Sequence, residues 1–452
     1  PGPPSERNDA SPERVNGGNL MLAHQRCSTV VKILLACTQL TLWKVGATIR
    51  AVHRVLPPLY PIWFANPMPT LRSLFLLEPD VIFLNHGSFG ATPEPVFAEY
   101  QRWQRRMEVQ PVRFFSQELS DALAASRHIL GAHLNVSGDD LVYISNATFG
   151  ANLVARSLAL APGDEILTTD HEYGACSNAW EYVAARSGAH YVHQPIDLPV
   201  TTPDALVDTI WAGVTPRTKV IYLSHITSPT AIALPVEEIC RRARAMEILT
   251  VIDGAHAPGQ LDLDLTALGA DFYFGNCHKW MMSPKGAAFL HVRTDCQHLI
   301  QPLVVGWGWG AERNLDFGSD FLNATQFLGT NDYAAYLAVP AALAFQREHD
   351  WPTQQARCRA LVDHYLDAMV MLTGLPRLYP PNAGFYGQLA AALLPEGIDG
   401  PALKSALIDD YGIEIPVSVW RDRRLLRLSL QAYNDANDVE RLLGAVGELL
   451  SG

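Results

Sequence analysis

Charge is scarce in this chain of 452 residues: 18% are Asp, Glu, Lys or Arg, against about 25% in ordinary globular proteins. With 48% apolar residues, that balance excludes a largely disordered protein. The scattered glycines and prolines exclude a collagen-like or coiled-coil rod. Positive charge is the scarcer kind, with 34 Lys and Arg against 46 Asp and Glu and a net charge of −12. Such a surface repels phosphate backbones, so no nucleic-acid partner is expected. Cysteines are few and dispersed (27, 37, 176, 240, 277, 296 and 358). They form no C-x-x-C and no zinc spacing, as in the reduced thiols of an intracellular enzyme. Long apolar runs are missing as well. A membrane helix needs about 18–20 such residues, and the nearest candidate, 33–43, lies between Lys32 and Lys44. It starts too far in for an export signal and follows no twin arginine, so a cytoplasmic protein with no membrane partner is expected. Nor does a G-x-G-x-x-G follow an early strand, which removes a Rossmann-type dehydrogenase.

What is there falls into unequal parts. Residues 1–75 hold eight Lys and Arg against three Asp and Glu. They open with the Pro, Gly, Ser and Asn content of a tail, in which Met21 is a candidate start. They are expected to be an N-terminal tail and linker, followed by a segment at 76–94 that joins the small domain. A large domain is expected over 95–330 and a small C-terminal one over 331–452. From Val81 onward, short Val-, Ile-, Leu-, Phe- and Tyr-rich runs alternate with amphipathic helical stretches. The runs at 141–144, 165–168, 219–223, 249–252, 271–274 and 287–290 read as strands. Strands alternating with helices imply a mainly parallel sheet covered on both faces, hence an α/β fold. In such sheets the ligand sits beyond the carboxyl ends of the strands. The residues there are Asn146 and Thr148, His171 and Tyr173, His225 and Ser228, Asp253 and His256, and His278 and Lys279.

Three of these segments carry complementary chemistry. Lys279 follows a buried-looking strand and precedes Trp280 and Met281. Partial desolvation there favours the neutral amine that a Schiff base requires, whereas Lys285, before Gly286, reads as a surface lysine. Asp253 ends the run Val251-Ile252, and a sheltered carboxylate needs a cationic or hydrogen-bonding partner. A pyridinium nitrogen is one such partner; a metal ion or a helix N-terminus are the alternatives. Ser145, Asn146, Ala147 and Thr148 lead into a helix whose N-terminus suits a phosphate. Amine, carboxylate and phosphate site together describe pyridoxal 5′-phosphate.

The ordered landmarks are 83–90 (FLNHGSFG), 110–115 (QPVRFF), 170–175 (DHEYGA), 253–259 (DGAHAPG), 276–280 (NCHKW), Gly329-Thr330 and 427–434 (RLSLQAYN). On these the chain resembles the class V aminotransferase family, and within it the branch containing isopenicillin N epimerase, over about Phe83 to Asn434. The resemblance implies the pyridoxal-phosphate-dependent transferase fold type I, with a large mainly parallel domain, a smaller C-terminal α/β domain and a homodimer. It implies that Lys279 bonds the cofactor aldehyde and that Asp253 meets the ring nitrogen. His256 and Ser228 fall near the phenolic oxygen, and Thr148, the Ala147 backbone and His278 at the phosphate. Tyr173 stands where many relatives place a ring-stacking histidine, and it is counted with Lys279 and Asp253 as catalytic. Thr330 matches a residue that reaches the neighbouring subunit's phosphate. Arg427 matches the clamp for a substrate carboxylate, with Ser88 grouped beside it.

Departures narrow the reaction. No cysteine lies between Pro401 and Arg427, where desulfurases of this superfamily carry a mobile one, so persulfide chemistry is not expected. The expected substrate is an amino acid or peptide-like amine that loses its α-proton. Epimerisation ranks first, with C–S lyase and aminotransferase as alternatives and a non-catalytic binding protein as the non-enzyme alternative. Tyr173, His86 and His225 are the candidates for a second acid–base group, and Arg113 and His86 for pocket walls. The 306–310 run (GWGWG) is left between the substrate mouth, a subunit contact and plain packing.

Overall fold

The computed structural model describes residues 70–451 apart from 312 and 314. The expected tail up to residue 69, with its apolar 33–43 run, lies outside the described residues. The centre of the described chain is a seven-stranded sheet in the order β2-β8-β7-β6-β5-β3-β4. Its strands are β2 (Leu141–Ile144), β3 (Glu165–Thr169), β4 (His190–Gln194), β5 (Thr218–Ser224), β6 (Leu249–Asp253), β7 (Phe272–Asn276) and β8 (Ala288–Val292). The pairs along β7-β6-β5-β3-β4 are parallel, and β8 alone runs antiparallel, to both β2 and β7. Strands β2, β3, β6 and β7 are buried almost throughout, as expected of a parallel sheet with helices on both faces.

Two crossover helices have their ends marked in the sequence. Asn146 caps the helix Ala147–Ser157 by accepting the Phe149 amide at 2.9 Å. The helix Gly174–Ser187 ends at Gly188 in the left-handed conformation, which glycine adopts without steric cost.

Strand β9 (Leu389–Leu393), β11 (Val417–Trp420) and β12 (Arg423–Ser429) form a second, antiparallel sheet in the order β11-β12-β9. A short parallel pair joins β1 (Ile82–Phe83) to β10 (Ile413–Glu414), and Asn85 bridges to Ser429. The 82–90 segment is thereby tied to the C-terminal sheet. Helix Val339–Glu348 and the turn before it pack back on the large sheet's side, where Tyr336 stacks on Tyr143 at 5.0 Å. Among the described residues no helix is long and apolar enough to cross a membrane.

Candidate active site

The carboxyl ends of the parallel strands open into a cavity of about 390 Å³. Ser88, Ala147, Thr148, Tyr173, Ser228, Asp253, His256, His278 and Lys279 all line it. The topology explains the convergence, because each of these residues except Ser88 follows or ends one of β2, β3, β5, β6 or β7. Ser88 arrives from the 82–90 segment. Gly90 lets that segment lie on the lysine: its φ is +72°, and a Cβ there would stand 2.0 Å from the His278 carbonyl and 2.9 Å from the Lys279 Cα.

Burial sets the electrostatics. Desolvation, with the Arg427 charge adding to it, pulls the Lys279 amine down to about 8, against an opposing pull from Asp253. Burial likewise pushes the Asp253 carboxyl above its usual range. Its oxygens accept from the Ala255 amide at 2.8 Å and the Tyr222 hydroxyl at 3.2 Å. His256 Nε2 stands 3.3 Å from Lys279 Nζ, and the Trp280 indole donates to His256 Nδ1 at 3.2 Å. His278 Nδ1 donates to the Ala287 carbonyl at 2.9 Å, and burial holds its pKa down near about 4.

At the helix N-terminus, Asn276 takes the Ala147 amide at 2.9 Å and Asn146 takes that of Phe149. Thr148, between them, lines the cavity. Arg427, almost fully buried, donates to the Ser228 carbonyl at 2.6 Å and to the hydroxyls of Ser228 and Ser88 at 3.1 Å. Its Nε has no partner, leaving the fork with unmet donor capacity beside the cavity.

Other residues singled out in the sequence lie elsewhere. His86 is buried behind the lysine, with Nδ1 against the Tyr433 hydroxyl and Nε2 against the Lys279 carbonyl, each at 3.0 Å. His225 meets the Tyr273 hydroxyl at 3.0 Å, and Arg113 pairs with Glu118 at 3.1 Å. None of the three lines the cavity. Buried His171 stacks on Trp420 at 4.6 Å, while Arg421 binds Asp170 and Asp197 at 2.8 Å. Together these contacts fasten the loop that carries Tyr173 to the small sheet. Thr330 is exposed and lines two other cavities, not the one that Lys279 lines.

Sequence reasoning missed Glu172. Its carboxylate accepts the Ser224 amide and hydroxyl and the Thr169 hydroxyl, bracing two strand ends beneath the cavity. Burial raises its pKa to about 7. Only its place between His171 and Tyr173, beyond a strand, could have pointed to it.

Residues 82–442 match the profile of the family described as aminotransferase class-V. The chain belongs to the class V aminotransferase family. Isopenicillin N epimerase of Amycolatopsis lactamdurans is 37% identical over 396 residues, covering 85% of this chain and 99% of that protein. The probable chloroplastic L-cysteine desulfhydrase of Arabidopsis thaliana is 27% identical over 412 residues, covering 82% and 84%. In fold, the apo structure of cysteine desulfurase from Thermococcus onnurineus NA1 superposes with a TM-score of 0.72 at 19% identity, covering 85% of this chain and 99% of that one.

The cofactor of this member of the class V aminotransferase family is pyridoxal 5′-phosphate, and the cavity has the donor set for it. A partly neutral amine can bond an aldehyde, and a buried carboxylate short of a cation can take a protonated ring nitrogen. An unshared amide at a helix N-terminus can take a phosphate oxygen. A plain hydrolytic cavity would need no such combination.

Proposed function

We propose that this enzyme inverts the α-carbon of an amino acid or of an amino-acid-containing, peptide-like substrate. The observation that carries the reading is that two proton-bearing groups enter the cavity from different sides. Lys279 follows β7 and Tyr173 follows β3, with β6 and β5 between them in the sheet. An epimerase needs one group to remove the α-proton and another to deliver a proton to the opposite face. The competing candidates His86 and His225 are already engaged outside the cavity.

In this reading Arg427, held by Ser88 and Ser228, grips the substrate carboxylate through its planar fork. Lys279, pulled down to about 8, is partly neutral near neutral pH and takes the α-proton. Bound in the cavity, pyridoxal phosphate supplies the sink for the electron pair left on carbon. Asp253 would hold a negative charge for the ring nitrogen, His256 and Ser228 would serve the phenolic oxygen, and Thr148, the Ala147 backbone and His278 would retain the phosphate. Tyr173 returns a proton from the other side. The similarity to the A. lactamdurans epimerase supports this outcome. The similarity to L-cysteine desulfhydrases favours β-elimination as the second reading.

We also propose a homodimer in which Thr330 serves the partner's cofactor. Its exposure, its place outside the lining of its own chain's cavity, and the outward-facing Val109, Val304, Val305, Trp307 and Trp309 support this. Exposed apolar groups of that kind mark contact surfaces.

The decisive assay is incubation with amino acids and β-thio-substituted amino acids in deuterated water. Inverted, α-deuterated product supports epimerisation, and Tyr173→Phe should then keep α-exchange while losing inversion. Pyruvate with free thiol supports elimination, and conversion of the cofactor to its amine form supports transamination. Absence of α-exchange across the panel, with normal cofactor binding, would refute amino-acid chemistry.

A further inference from the structure

Trp280 is fully buried and closely held. The His86 ring lies 5.1 Å from its own at a tilt of 54°, and Gln346 donates to its carbonyl at 3.2 Å. The backbone approaches it so closely at Gly259 that a Cβ there would stand 2.4 Å from the Trp280 carbonyl oxygen. An indole has one polar atom, an N–H that can only donate, and this one meets His256 Nδ1 at 3.2 Å. On the other side of the imidazole, Nε2 stands 3.3 Å from Lys279 Nζ. The His256 backbone is pinned too, its carbonyl accepting from Gln260 at 2.8 Å.

The consequence falls on His256. A nitrogen that accepts from an indole carries no proton, so in the neutral ring the proton sits on Nε2. We propose that Trp280 is a positioning residue that fixes His256 as its Nε2–H tautomer, so that the imidazole presents the lysine amine with a donor and never with a lone pair. The neutral amine accepts that N–H; the ammonium, which can only donate, is confronted by it. The remaining groups around the ring act in the same direction. Burial first, then the charge of Lys279, then Arg427 and His86, hold His256 well below its usual range. Around the amine, Arg427 opposes the ammonium form, whereas Asp253 and Cys176 favour it. The donor orientation of His256 is therefore one of the devices that keep Lys279 available as a base. Only the identity of what meets the same N–H once the cofactor is bound rests on the pyridoxal-phosphate reading.

The test uses the full chain labelled with ¹⁵N-histidine, first without cofactor. The His256 signals, identified by their loss in His256→Gln, should show an unprotonated Nδ1 and a protonated Nε2. A protonated Nδ1 would overturn the proposal, and this result needs no folded variant of Trp280. In Trp280→Phe, Nδ1 is free to take the proton and Nε2 can accept from the ammonium. The pH midpoint for modification of the Lys279 amine by a small aldehyde should then rise by about one unit, the worth of one hydrogen bond. In a His256→Gln background the same change should leave the midpoint unmoved, since additivity would mark an ordinary packing effect. An unchanged midpoint in Trp280→Phe, or an equal shift in both backgrounds, would also overturn it. Failure of the wild-type chain to develop a visible band with pyridoxal phosphate would count against the cofactor reading alone.

Discussion

Replacing Lys279 with methionine should raise the stability of the cofactor-free chain and abolish turnover in the cofactor-loaded enzyme. The folded state pulls the amine from 10.5 to about 8, so the unfolded chain binds the proton more tightly. The sign follows from linkage. Below about pH 8 the folded state carries the whole penalty, between 8 and 10.5 the penalty shrinks, and above 10.5 it is gone. At about 1.4 kcal/mol per pH unit the upper bound is roughly 3.5 kcal/mol. Two effects lower it: the side chain keeps contact with cavity water, and Asp253 loses the cation that favours its ionised form. A net gain of about 1–3 kcal/mol at pH 7 remains, because methionine fills the same volume with an unbranched apolar chain. Urea unfolding of both cofactor-free proteins measures it. The methionine variant should unfold at higher urea at pH 7, and the gap should close as the pH approaches 10.5. Equal stability at pH 7, or a gap that ignores pH, would refute the argument that desolvation sets the lysine's basicity.

Gly90→Ala should destabilise the chain by roughly 2–4 kcal/mol and loosen cofactor binding, read by thermal unfolding and equilibrium dialysis, because its Cβ meets the His278 carbonyl and its φ disfavours alanine. If Arg427 grips the substrate carboxylate as proposed, Arg427→Gln removes a charged donor worth about 1.5–3 kcal/mol. Its KM for the carboxylate-bearing substrate should rise some tenfold to a hundredfold, while an esterified substrate shows little difference between the two enzymes. Thr330→Ala should weaken cofactor retention in proportion to dimer content by sedimentation, and a wild-type monomer that holds its cofactor tightly would refute the shared site.

The parts of the fold written in local sequence were legible. Buried parallel strands need continuous apolar runs, so β2, β3, β5, β6 and β7 stood out, and the rule that ligands gather at their carboxyl ends brought Asp253, His256, His278 and Lys279 together before any coordinates. Strand β4 escaped because it is the sheet's edge: His190 and His193 are exposed there and the run His190–Gln194 shows no apolar continuity. Strands β5 and β7 continue one or two residues further than their apolar runs because Ser224 and Asn276 are polar groups satisfied in place. Trp280 reads as a hydrophobic neighbour of the lysine until its indole is seen to meet a histidine 24 positions away. Arg427 gives no hint of Ser88, which is 339 positions distant. Contacts of that kind depend on how the sheets meet, which no local pattern encodes.

The pairing of β1 with β10 also sets a timetable for biosynthesis. Asn85 and Glu414, which bond across it, are separated by 329 residues. A ribosome adding about 5–20 residues per second takes roughly 15–70 s to travel between them. From the addition of Val292 until Ile413 follows, the nascent chain already holds every strand of the large sheet and the lysine, but neither the strand that anchors the 82–90 segment nor the arginine behind Ser88. What holds the 82–90 segment in place is therefore made long after the segment itself. A transcript cut short before Ile413 would yield a chain that keeps Lys279 and the other cavity-lining residues but lacks the strand and the arginine that fasten the 82–90 segment.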